Sequence, residues 1–155
     1  MINKIKSNDI SSINIEKSMQ QGISFHQKGK LKQAEQLYQQ VLQDQPQNAN
    51  AYHLLGIIAY QVGRHNVAID LINQAIGIDN RQPVFFGNLG NILQGQKRQE
   101  EAIQAYQHAI ELNPENEEIQ NDLGNALTEL GHFQQAAHAY HKVVKITPNN
   151  PNPCL

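Results

Sequence analysis

The sequence predicts an all-α fold, a solenoid of four helix pairs, and three observations predict it. Small residues recur at a fixed interval: Gly22, Gly56, Gly90 and Gly124 stand 34 apart, and Ala34, Ala68, Ala102 and Ala136 follow them by 12. Larger side chains keep the same register, with Tyr38, Ile72, Tyr106 and Tyr140 four residues beyond the alanines. Pro46, Asn80, Pro114 and Pro148 then close each copy, eight residues further on. A period of this length marks a repeat architecture, in which each copy buries its apolar face only against its neighbours.

In chain order, residues 1–14 read as an amino-terminal tail, flexible or folded as a short cap through Ile2, Ile5 and Ile10. Four copies follow at 15–48, 49–82, 83–116 and 117–150, and 151–155 form a carboxy-terminal tail. Each copy reads as two helices, most plainly in the third. There Phe86, Leu89, Gly90 and Leu93 form one stripe, the polar run Gln94 to Arg98 interrupts it, and Ala102, Ala105, Tyr106, Ala109 and Ile110 form a second. Both stripes have the helical period. Gly29, Gly63, Gly95 and Gly131 fall where the first helices stop, as left-handed C-caps. The prolines end the second helices because proline lacks a donor and clashes with the preceding turn. Asp79-Asn80 does the same in copy two with turn-forming side chains.

The glycines at 22, 56, 90 and 124 lie inside helices, where each costs about 1 kcal/mol relative to alanine. That cost implies a close helix crossing, with the alanine column as its small counterpart. The bulky column at 38, 72, 106 and 140 would fill the wedge toward the next copy.

Composition narrows the function. Of 155 residues, 39% are hydrophobic and 17% charged, and 21 Gln and 17 Asn make up the polar deficit, interleaved with apolar residues rather than in runs. No apolar stretch approaches the roughly 20 residues that span a bilayer, and no apolar secretory segment follows the start. No membrane insertion and a cytoplasmic location are the expectation. The lone Cys154 excludes an internal disulfide and a cysteine zinc site, and reads as a free thiol. Residues 83–129 carry two cations against eight anions, which disfavours nucleic acid as a partner.

No catalytic, cofactor or metal site is expected. His138 and His141 share a helix face without a carboxylate at helical spacing. Glu100-Glu101 and Glu117-Glu118 stand at helix starts, where anions suit the helix dipole. No nucleophile is placed beside His26 or His53, and no Walker or GxGxxG motif occurs.

The motif residues Phe86, Leu89-Gly90, Leu93, Ala102, Tyr106, Ala109 and Pro114, with Leu123-Gly124, Leu127, Ala136, Tyr140 and Pro148, resemble the tetratricopeptide repeat closely. Copy one departs with Gln21-Gly22, copy two with Ala59 and Asn80. The resemblance implies a right-handed superhelix whose first helices line a concave groove. It places Ile23, His26, His53, Leu54, Ile57 and Tyr60 in that groove as an apolar patch with two histidines. It also places Asn88, Asn91, Asn121, Asp122 and Asn125 there as an amide ladder.

Such a lining suits an extended peptide, since asparagine both donates and accepts. The expected function is therefore a non-catalytic protein-interaction module that binds a peptide or protein segment. The cationic positions of the chaperone-tail clamp known in this family hold Met19, Val84 and Asn88, which sets that activity aside. The Leu-Gly-Asn runs at 89–91 and 123–125 are similar to the arrays of O-linked sugar transferases, so a substrate-recognition region of a larger enzyme is the alternative. A third reading is a self-assembling scaffold. Phe133, Ala137, Tyr140 and Val144 form one stripe on the last helix, and the prolines after it preclude another helix, so a homo-oligomer through the terminal repeats is possible.

Overall fold

A computed structural model describes the backbone of residues 7–146 and the side chains of residues 14–145. Among the described residues the elements are eight helices and no strand. They are α1 (Ser7–Gln27), α2 (Leu31–Asp44), α3 (Ala49–Gln61), α4 (His65–Ile78), α5 (Pro83–Gly95), α6 (Gln99–Leu112), α7 (Glu117–Glu129) and α8 (Phe133–Ile146). The prolines at 46 and 114 lie in the turns that end α2 and α6, whereas Pro148 and Cys154 fall outside the described residues. At the other end, α1 starts at Ser7, so the stretch 7–14 expected as tail is helical. It holds no glycine or proline to stop the helix.

The chain divides into two compact units, Met1–Ile78 and Asp79–Leu155. In the first, α1 pairs with α2 and α3 with α4, and α2 also packs on α3. Its core joins Ile15, Ala34, Tyr38, Val41, Ala51, Leu55 and Ile58. In the second, α5 pairs with α6 and α7 with α8, and α6 also packs on α7. There the buried side chains include Phe85, Ile92, Tyr106, Ile119 and Leu127.

Local chemistry sets the helix ends. The Asn48 and Asn116 side chains accept from the amides of Ala51 and Ile119 at 3.0 and 3.1 Å, capping α3 and α7. In the equivalent place α5 uses Pro83 in its first turn and needs no side-chain cap. Before it, Asp79 holds the turn by accepting from the Arg81 amide at 3.1 Å and from Gln82 Nε2 at 2.9 Å. These bonds keep its carboxyl below the usual carboxylate range.

The helix-pair seam differs in one respect from the sequence expectation. A Cβ on Gly90 would stand within 2.9 Å of three ring atoms of Tyr106, and one on Gly124 within 2.9 Å of three ring atoms of Tyr140. Gly22 faces Tyr38 in the same way, and Gly56 faces Ile72. Each glycine therefore seats the large side chain of its own copy rather than mainly an alanine. At Gly56 the alanine column is also close, with Ala68 O 3.2 Å from the added carbon. The bulky column closes its own hairpin by reaching across to the partner helix, and Tyr38 also joins the core with Ala51, Leu55 and Ile58 of the next copy, as expected.

The first-helix stops need a second correction. Gly29, Gly63 and Gly131 have φ of 71°, 79° and 78°, as expected of left-handed caps. Gly95 does not; it is the last residue of α5, and the left-handed position in that copy is Lys97, with φ of 59°. The turn keeps the 34-residue register (29, 63, 97, 131), and the glycine simply stands two places early. A side chain in this conformation is strained by about 1 kcal/mol or more. Lys97→Gly is expected to raise stability by about 0.5–1 kcal/mol, net of the freedom glycine adds to the unfolded chain. A thermal midpoint that stays put or falls would contradict the strain.

Candidate functional site

The exposed faces of the first helices carry most of the side chains proposed for binding, and each unit presents its own. In the first unit, α1 and α3 enclose an open cavity of about 510 Å³ whose wall includes Ile15, Met19, Ile23, His53 and Leu54, with Glu16 and Asn50 beside them. Ile23, His53 and Leu54 share that lining. Ile57 and Tyr60 stand half-buried outside that lining, and the Tyr60 ring lies 5.3 Å from His65. His26 donates from Nε2 to Gln61 Oε1 at 2.8 Å, a bond that ties α1 to α3.

His53 is set deeper than a groove histidine. It is 9% exposed, and burial pushes its imidazole down from 6.5 to about 4. The folded protein therefore keeps it neutral at ordinary pH, while the unfolded chain protonates it near 6.5. The sign follows directly: its contribution is intact above about pH 6.5 and drains away as the pH falls toward 4.

In the second unit, Asn88 and Asn91 lie on α5, and Asn121, Asp122 and Asn125 on α7. Asn91, Asn121 and Asn125 are exposed, and Asn88 and Asp122 half-buried. Burial and, after it, the charge of Glu118 push the Asp122 carboxyl up.

Two of these asparagines are held by the tyrosines that close their hairpins, a feature missed from the sequence. The one Tyr106 O–H is shared between Asn91 Oδ1 at 2.7 Å and Gln94 Oε1 at 2.8 Å, and Tyr140 donates to Asn125 Oδ1 at 2.7 Å. The carbonyl side of each amide is engaged, which leaves the Nδ2 donors of Asn91 and Asn125 for a guest. The signal was present as a spacing of 15 from Asn91 to Tyr106 and from Asn125 to Tyr140. Copy two replaces the pair with Ile57 and Ile72, and copy one mismatches it with Ile23 and Tyr38. As a result the Tyr38 hydroxyl is buried without a hydrogen-bond partner, and burial pushes it up to about 12.

The stripe on α8 is partly open. Phe133 and Val144 are 68% and 55% exposed and Ala137 is exposed. Tyr140 is half-buried, with its ring over Gly124 and its hydroxyl on Asn125, so it serves its own hairpin. His138 is exposed and lines a different cavity in the second unit.

Repeated helix pairs of fixed length, each closed by a glycine under a large side chain, define a tetratricopeptide-repeat protein of the all-α solenoid class. The family described as Psidin, N-terminal TPR repeats region, matches residues 24–154, and the chain belongs to it. Solved structures share the fold. A crystal structure of MamA is 21% identical with a TM-score of 0.81, over 87% of this chain and 79% of that one. PilF of Pseudomonas aeruginosa is 25% identical with a TM-score of 0.82, over 91% of this chain and 64% of that one. A mutant O-GlcNAc transferase of Thermobaculum terrenum is 27% identical with a TM-score of 0.72; the match spans 82% of this chain but 23% of the transferase. No curated protein matches the sequence significantly.

Two outcomes follow from these environments. Tyr106→Phe should cost on the order of 1 kcal/mol, whereas Tyr38→Phe should be neutral or stabilising; equal losses in urea unfolding would contradict the difference. Stability should fall between pH 6.5 and about 4 by at most roughly 3 kcal/mol through His53. His53→Phe should flatten that part of the profile, and an unchanged slope would remove His53 from the account.

Proposed function

We propose that this chain is a non-catalytic protein-interaction module that grips extended peptide or protein segments on the faces of its first helices. The observation that carries the reading is the apolar cavity of about 510 Å³ between α1 and α3, polar at its edge through Glu16 and Asn50. A cavity of this size and lining accepts an apolar side chain while polar neighbours fix its orientation. On the second unit, Asn91 and Asn125 offer amide donors to the carbonyl groups that an extended backbone presents. Tyrosine bonding holds these donors in place, so ordering them on binding costs less.

The family and fold support binding of protein rather than small-molecule chemistry, because helix-pair solenoids present long surfaces to partners. Absence of a long apolar helix among the described residues agrees with a partner met away from the bilayer core. The exposed Phe133 and Val144 favour a second reading, in which α8 contributes to self-assembly; a mass that rises with concentration is its signature.

The test uses peptides selected from a random-sequence display library against the wild-type chain, measured by calorimetry. Leu54→Asp, which puts a charge into the cavity, should abolish binding of selected peptides that carry an apolar anchor. Asn91→Ala should weaken them by on the order of 1 kcal/mol, one hydrogen bond, while Gln94 remains to receive the Tyr106 hydroxyl. Equal affinity for both variants and the wild type would overturn the reading.

A further inference from the structure

A second cavity, of about 470 Å³, opens in the second unit between α6, α7 and α8. It lies on a different face of α7 from Asn121 and Asn125. Its floor is Ile110, Leu123, Leu127 and Ala139, with Gln120 among them and Lys142 at the side. The repeat register explains why there is room. Gln120 stands in the column that holds Tyr52 in copy two and Phe86 in copy three, and Ala139 in the column that holds Leu37 and Leu71 in copies one and two. In the first unit, Leu71 packs against the core. Copies two and three place a ring in the Gln120 column, and copy one Ser18. The Ala139 column is leucine in copies one and two and alanine (Ala105) in copy three, so only copy four sets an amide beside the alanine.

Gln120 is an unusual floor residue. It is 1% exposed, and its Nε2 donates to Pro114 O at 3.3 Å. The Gln120 side chain lines the cavity, and no hydrogen bond from a described residue reaches its Oε1. A carbonyl oxygen left open there favours a guest that brings an N–H or O–H. The neighbouring copy indicates how a ring would lie. Phe86 sits 5.5 Å, centroid to centroid, from His108, and the residue one repeat beyond His108 is Lys142. A ring in the place of Gln120's aromatic counterparts would lie beside an ammonium group, which favours an electron-rich ring.

We propose that this cavity is a second binding site, an anchor pocket for a tryptophan side chain of a protein partner, with the indole N–H on Gln120 Oε1 and the ring face toward Lys142. The guest supplies the aromatic group that copies two and three place in this column and copy four lacks. The site is separate from the first-helix faces, so a partner can use it whether or not a peptide occupies them. The volume falls within the range of pockets that enclose a large side chain or small ligand.

The chain contains no tryptophan, so the probe N-acetyl-L-tryptophanamide can be followed by its own fluorescence. With the full chain, saturable millimolar binding with a blue-shifted emission is expected, and N-acetyl-L-leucinamide should not compete. Gln120→Phe should abolish binding and raise the thermal midpoint, as the new ring fills the void. Ala139→Leu, which restores the residue of copies one and two, should abolish binding by narrowing the same cavity without touching Gln120. Lys142→Ala should weaken the probe about threefold to fivefold. Unsaturable binding to the wild type would overturn the proposal. So would unchanged affinity in either cavity-filling variant with helical circular dichroism intact, or displacement of the probe by the leucine amide.

Discussion

One contact governs the architecture: a glycine in the first helix of each copy lies beneath the large side chain sixteen residues later. The two helices of a pair approach because the glycine has no Cβ to meet the ring, and the contact lies entirely within one hairpin. Everything that faces a guest is positioned from this seam. Tyr106 and Tyr140 reach the glycine with their rings and the asparagines with their hydroxyls, so one side chain both closes the hairpin and orients a binding group. Packing and recognition are coupled through the same two tyrosines.

Much of this was legible in the sequence. The 34-residue register of Gly, Ala, ring and closing Pro or Asn gives helix pairs before any coordinates, since no other spacing of small and large residues repeats so strictly. The groove residues Ile23 and Leu54 were placed by the tetratricopeptide resemblance rather than by helical period, and both line the cavity of the first unit. What escaped was identity within the register. Gly95 drew attention as a glycine, whereas the chain places Lys97 at the left-handed turn, because position in the repeat outranks residue preference when tertiary packing fixes the backbone.

The burial of His53 was likewise invisible. A histidine in a helix pattern reads as accessible, and only the packing of neighbouring helices decides how much of it water can reach. The asparagine bonds escaped for a related reason: an amide in a groove pattern has no local sign that a tyrosine fifteen residues on will take its oxygen. The cavity by Gln120 exists only in the packing of α6, α7 and α8, which no local stretch of sequence contains. Sequence registers the substitution; structure shows the space that it leaves.

Because each contact of glycine and large side chain lies inside its own hairpin, that contact does not depend on which block precedes it, while the rest of the core is completed between copies. Copies can therefore be duplicated or lost whole during descent while the surviving hairpins keep their internal geometry, and individual side chains are free to drift between copies. Ile23 opposite Tyr38 and the amide at Gln120 are positions where the copies differ in this way. Divergence of this kind is how an array of nearly identical blocks acquires positions that differ in chemistry, and so a surface able to tell one guest from another.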